Sequence, residues 1–157
     1  MTKSTIDTTR DRLLAIEFVH QVWPARADQL AAMRSAVYGW LTPLELPEDT
    51  RHDIVLAVSE AATNVVEHAY TPATADGTVE LTFWTEGTTL CIEIVDHGAW
   101  RTPSDQSNGH GMGLRLMQQL IEFVLIQYDR RGTRILLRHP SVCEEPDQTG
   151  PVEPYPS

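Results

Sequence analysis

The hydrophobic positions of this chain follow a two-residue period in some stretches and a helical period in others. The changes of period divide residues 13–138 into eight elements. Residues 13–22 are apolar enough to predict a strand, and Pro24 ends it. From Asp28 to Trp40 the apolar positions Leu30, Met33, Val37 and Trp40 have helical spacing, with Asp28 available as a cap. Pro47, Glu48 and Asp49 mark the opening of a second helix, which should run to about Tyr70 before Pro72. Residues 78–84 then alternate at period two, and Glu86-Gly87-Thr88 makes a tight return into a strand over 90–95, predicting a hairpin. Leu114, Met117, Leu120, Ile121 and Val124 return to helical spacing. A second hairpin is expected from 124–128 and 133–138 around Asp129-Arg130-Arg131-Gly132. The order βααββαββ predicts an α+β fold: a two-layer α/β sandwich with a mixed, mostly antiparallel sheet and helices on one face.

The flanks differ from this core. Residues 1–12 are polar and charged and read as a flexible N-terminal segment, 13–139 as one domain, and 140–157 as a proline-rich tail expected to be disordered. At 157 residues and 41% hydrophobic content the chain can build one core. No apolar run reaches the about 20 residues that span a bilayer, and the first residues lead into no signal-peptide hydrophobic stretch, so a cytoplasmic protein without a membrane partner is expected. Cys91 falls in a predicted core strand and Cys143 in the tail, which argues against a disulfide framework. The net charge of −10 argues against direct nucleic-acid binding, because counterion release needs a positive patch, and points to protein partners.

Three motifs carry the candidate chemistry. Glu60, Asn64 and His68 recur every four residues, which stacks carboxylate, amide and imidazole along one helix edge while Val58, Ala61, Ala62 and Val65 can face inward. A carboxylate and an amide oxygen one turn apart suit Mg²⁺ chemistry and proton removal from a hydroxyl, although a polar stripe is also what a solvated helix face looks like. Asp96 ends a strand and precedes His97-Gly98. A buried carboxylate there needs a donor, such as the exocyclic amine of adenine, with Gly98 leaving room for the ring; Asp-x-Gly is equally an ordinary turn. Gly109, Gly111 and Gly113 alternate just before Leu114 and open a helix, where backbone N–H groups and the helix dipole favour a phosphate; a short glycine run is equally an ordinary flexible loop.

As an ordered set, Glu60-x-x-x-Asn64-x-x-x-His68, Asp96-x-Gly98, Gly109-His110-Gly111-Met112-Gly113-Leu114 and Gly132-Thr133 resemble the GHKL superfamily of Bergerat-fold ATPases and kinases. Within it the chain is similar to the small serine/threonine kinases that act as bacterial anti-sigma factors, over about residues 13–138. The resemblance implies ATP and Mg as cofactors, with Glu60 as general base, Asn64 as magnesium ligand and Asp96 as acceptor of the adenine amine. It further implies Gly98 beside the base, Gly111 and Gly113 under the phosphates, Gly109 and His110 in the lid, and Met112 and Leu114 in the same nucleotide-binding segment. Thr133 would support the adenine end through water or Asp96. His68 matches a position where such kinases often carry histidine, and a packed or helix-ending role fits it equally well.

Two features depart from the pattern: Ala99-Trp100 follows Gly98, and no lysine precedes the glycines. The lid is short and polar, with Arg101 either reaching a phosphate or solvated and Asn108 next to the glycines. The implied function is phosphorylation of an anti-sigma-factor antagonist and sequestration of a sigma factor, with a homodimer suggested by the same resemblance. A non-catalytic module in which ATP occupancy gates protein binding is the alternative. A detached histidine-kinase catalytic domain fits less well, because the lid is short and no phosphoacceptor helix precedes the domain.

Overall fold

The computed structural model describes residues 18–70, 76–99 and 110–141. Five strands form one sheet in the order β1-β2-β3-β5-β4, and every pairing among them is antiparallel: β1 (Val19–Pro24), β2 (Thr78–Glu86), β3 (Thr89–Asp96), β4 (Phe123–Asp129) and β5 (Gly132–Pro140). Three α-helices, α1 (Leu30–Leu41), α2 (Glu48–Asn64) and α3 (His110–Leu120), complete the order expected from the sequence. The result is the expected α+β sandwich, except that the described sheet is antiparallel throughout where a mixed, mostly antiparallel sheet was expected.

Registers explain which side chains meet the helices. Phe83 pairs with Ile92, Ile92 with Leu137, and Leu137 with Val124; one row further on, Leu81, Ile94, Ile135 and Ile126 repeat the arrangement. These rows point to one side and alternate with rows of mixed character, such as Thr82, Glu93, Leu136 and Leu125, on the other, so the period-two pattern gives the helices one continuous apolar face. Against that face α1 buries Met33, Val37 and Leu41, α2 buries Ile54, Ala57, Val58, Ala61 and Ala62, and Met117 of α3 is buried beside Ile121. Trp40 bridges the layers, with ring centroids 6.3 Å from Trp23 and 5.7 Å from Phe83. The opposite sheet face carries ion pairs, Glu93 with Arg134 and Glu86 with Arg138.

The turns follow from their residues. Gly87 takes a positive φ of 58° at the first position of the two-residue return between β2 and β3, a conformation that glycine adopts without cost. In the second hairpin the Asp129 carboxylate accepts the Arg131 N–H at 2.6 Å, and Gly132 (φ 141°) runs so close to the Asp96 carbonyl that no side chain would fit.

Four boundaries depart from the sequence expectation. Residues 13–17 of the first predicted strand lie outside the described residues, and β1 is an edge strand ending at Pro24, where a missing N–H costs no ladder bond. Asp28 does not cap a helix; it sits inside a 3₁₀ turn (Ala27–Gln29), where its carboxylate holds Arg26 at 2.6 Å. The second helix stops being α-helical at Asn64 and continues as a π-turn over Val65–Ala69. At the other end β5 includes Pro140, and Ser141 just beyond the strand is buried with its N–H on the Thr88 carbonyl at 2.8 Å; residues 142–157 lie outside the described residues.

Candidate functional site

Glu60 and Asn64 lie one turn apart on α2, half-buried, because the intervening Ala61 and Ala62 turn into the core. The first turn of α3 comes directly against them. A methyl group placed on Gly113 would lie 3.3 Å from Glu60 Oε2 and 3.3 Å from Asn64 Nδ2. This contact is closer than ordinary van der Waals packing, so glycine lets a helix N-terminus, with its unpaired backbone N–H groups, approach a carboxylate and an amide. A carboxylate, a side-chain amide and the first turn of a helix thereby come together, groups of the kind that can serve a cation and a phosphate.

A second group forms at the end of β3. Asp96 is 5% exposed, faces Thr133 in the β3–β5 register, and accepts the Gly98 N–H at 3.0 Å. Burial pushes its carboxyl above the usual carboxylate range; donation from the Gly98 and Thr133 N–H groups, and from the Thr133 hydroxyl, works in the opposite direction. Asp96, Thr133, His97, Tyr128 and Gly132 are among the residues around a cleft of about 680 Å³ at this end of the sheet. Glu60, Asn64 and Gly113 do not line it. The two groups are instead joined through the end of the second helix: the Ala99 N–H donates to the Ala69 carbonyl at 3.1 Å, and Gly98 approaches that carbonyl too closely for any side chain.

That contact gives Gly98 a reason the sequence did not show. Its missing side chain lets the Asp96 turn dock on the end of the helix. His68 leaves the expected stripe, because the four-residue spacing ends at Asn64 where the π-turn begins, and it stands 3.4 Å from Glu67. Leu114 is 36% exposed on α3. His110, Gly111 and Met112 open α3, whereas Gly109, Arg101 and Asn108 lie outside the described residues. Sequence reading missed three contributors around the Asp96 turn: Ala69, Tyr70 and Glu80. Tyr70 closes a helix and Glu80 sits on a strand, and neither spacing hints that both meet residue 97.

Among the described residues no cluster of three or more histidine, cysteine, aspartate or glutamate side chains could hold a metal ion. No helix among them is long and apolar enough to cross a membrane.

Comparison with known proteins agrees with this fold. Residues 23–139 match the histidine kinase-like ATPase domain family. A serine-protein kinase RsbW from Bacillus licheniformis is 28% identical over 130 residues, covering 73% of this chain and 81% of that protein. Among solved structures, the RsbU and RsbW domains of a Mycobacterium tuberculosis protein superpose with a TM-score of 0.65 at 23% identity, over 79% of this chain but only 32% of that one, so this chain spans about a third of it. The histidine kinase domain of a blue-light activated histidine kinase from Erythrobacter litoralis gives a TM-score of 0.54 at 23% identity, over 74% of this chain and 61% of that one. With the family match running across most of the chain and the same sandwich found in these structures, this chain belongs to the histidine kinase-like ATPase domain family.

Proposed function

We propose that this protein is a Mg-ATP-dependent serine/threonine protein kinase that phosphorylates an anti-sigma-factor antagonist and sequesters a sigma factor. The observation that carries the proposal is the seating of Gly113 against both Glu60 and Asn64, which leaves a carboxylate and an amide facing a helix N-terminus. The likeness to a serine-protein kinase RsbW supports the choice of a hydroxyl as acceptor.

In this reading Asp96 accepts the adenine amine, Thr133 braces Asp96, and Gly98 lies beside the base. Gly111 and Gly113 pass under the phosphates with Met112 and Leu114 in the same segment, while Gly109 and His110 belong to the lid. Mg²⁺ held by the Asn64 amide oxygen would neutralise phosphate charge. Glu60 takes the proton from the substrate serine or threonine hydroxyl as that oxygen bonds to the γ-phosphorus, and ADP leaves with the electrons of the broken bond. Phosphoryl transfer depends mostly on positioning and charge neutralisation, so one base, one metal ligand and a glycine cradle suffice. The protein partner supplies the geometry of the acceptor. A homodimer belongs to the same proposal, and sedimentation would test it.

The decisive experiment is intact-mass analysis of candidate antagonists after incubation with this chain and Mg-ATP. One added phosphate is expected. Glu60→Gln keeps size and hydrogen bonding but cannot act as base, so transfer in single-turnover assays should fall by about 10²–10⁴-fold with ATP still bound. Asn64→Ala should instead weaken Mg-ATP binding itself. A wild-type rate in Glu60→Gln would remove the base assignment, and no transfer by the wild type to any antagonist would favour an ATP-gated binding module.

A further inference from the structure

The turn carrying Asp96 is held from both sides of the sheet. On the helix side, the hydroxyl of Tyr70 donates to the Thr78 carbonyl at 2.7 Å and accepts the His97 N–H at 3.0 Å. Its ring is pressed against Gly77, where a methyl group would come within 2.5 Å of ring carbons. On the open face, His97 Nε2 and Glu80 Oε1 are 2.7 Å apart. The residue before Tyr70 holds the far end of the same turn through the Ala69 carbonyl and the Ala99 N–H. Ring packing alone would be served by phenylalanine. The hydroxyl adds a bridge from the start of β2 to the peptide that follows Asp96.

We infer that Tyr70 is a positioning residue for base selectivity: its hydroxyl sets the height of the Asp96–His97 peptide, and so decides whether the Asp96 carboxylate meets the exocyclic amine of a purine. This rests on the reading of Asp96 as the adenine acceptor. The physical lever is the steep distance and angle dependence of a hydrogen bond, which a shift of a few tenths of an ångström already weakens. Asp96 is buried and braced on its other side by Thr133, so a released His97 peptide moves the carboxylate relative to the cleft and leaves the rest of the sheet in place. The contacts of Tyr70 with Gly77, Thr78 and His97 lie at the Asp96 turn, so its loss should spare the phosphate end.

The test compares Mg-loaded ATP with purine riboside triphosphate, which lacks the 6-amino group, by calorimetry on the full chain. Wild type should prefer ATP by about 10-fold or more, the value of one charge-assisted hydrogen bond. In Tyr70→Phe that preference should fall to about twofold or less, with purine riboside triphosphate bound about as well as by wild type. A purely structural tyrosine would lower the melting temperature and leave the ratio alone. In a double-mutant cycle, Tyr70→Phe should cause no further loss of preference in an Asp96→Asn background, because both remove the same discrimination. A folded Tyr70→Phe protein with the wild-type ratio overturns the inference. A wild type that does not discriminate overturns the Asp96 assignment first and the inference with it. Should Tyr70→Phe not fold, hydrogen exchange of the His97 amide in the wild type decides: slow exchange is expected, and exchange at the rate of an unprotected amide overturns the bridge.

Discussion

Asp96 is held in the folded chain at a cost that its replacement should reveal. Burial raises its carboxyl above the usual range, so the folded state favours the protonated form and ionisation at neutral pH is unfavourable to folding. Asp96→Asn keeps the acceptor for the Gly98 N–H and removes the charge. Its thermal stability at neutral pH should equal or exceed that of wild type, and the gap should close as pH falls through the raised pKa. ATP affinity should meanwhile drop by about 10–150-fold, corresponding to roughly 1.5–3 kcal/mol for a charged hydrogen bond. Parallel melting curves and calorimetry check both signs, and unchanged affinity would remove Asp96 from the site. The two site glycines should separate in a similar way. Gly98→Ala must displace the Ala69 backbone and should cost about 1–3 kcal/mol of stability as overpacking. Gly113→Ala comes nearest to the ends of the Glu60 and Asn64 side chains and gains helix propensity, so it should fold as well as wild type while binding Mg-ATP less tightly. Denaturant titrations with calorimetry distinguish the two.

The second helix shows how one element is divided between packing and chemistry. Ile54, Ala57, Val58, Ala61 and Ala62 bury its inner stripe, and the small alanines let α1 and α3 approach on either side. The π-turn that follows re-aims the chain, so that Ala69 and Tyr70 reach the Asp96 turn. The β4–β5 hairpin has a comparable join at its other end, where His139 Nδ1 accepts the Glu122 N–H at 3.2 Å. Accepting there requires a ring unprotonated at Nδ1. Burial holds His139 below its usual pKa, while the charges of Glu122 and Asp53 pull the other way. A lowered folded-state pKa means that the contribution is fully present above the ordinary histidine value and is lost as pH falls through the depressed one. His139→Asn, whose amide oxygen can accept the same N–H, should lack that loss. Its stability relative to wild type should therefore rise as pH is lowered from about 6.5. A stability difference independent of pH would show that His139 does not titrate differently on folding.

Across the whole molecule, the described sheet reaches into the first residues of the stretch that composition read as a tail. Pro140 completes β5, and Ser141 is buried with its N–H on Thr88. Deletion of residues 142–157 should leave melting temperature and ATP affinity nearly unchanged, because their proline-rich, polar composition supplies little core surface. Deletion from 140 onward should lower the melting temperature by removing the Thr88 contact. Equal behaviour of the two truncations in a thermal melt would contradict this boundary. Periodicity was sufficient for the order of elements and for the inward faces, because side-chain alternation and helical spacing are local properties that burial then reinforces. Glu60 and Asn64 were likewise legible, as four-residue spacing on a helix places them together whatever surrounds it. Other features depend on groups distant in the chain and leave no periodic trace. The insertion of β5 between β3 and β4 sets Thr133 opposite Asp96. Close backbone approach makes Gly98 a docking point on Ala69, and the tyrosine at the end of the π-turn finds its partners at residues 78 and 97. Local pattern thus specified which residues could carry the chemistry, whereas chain packing chose which of them meet, since hydrogen bonds and backbone contacts between remote segments exist only once the sheet and helices have closed on one another.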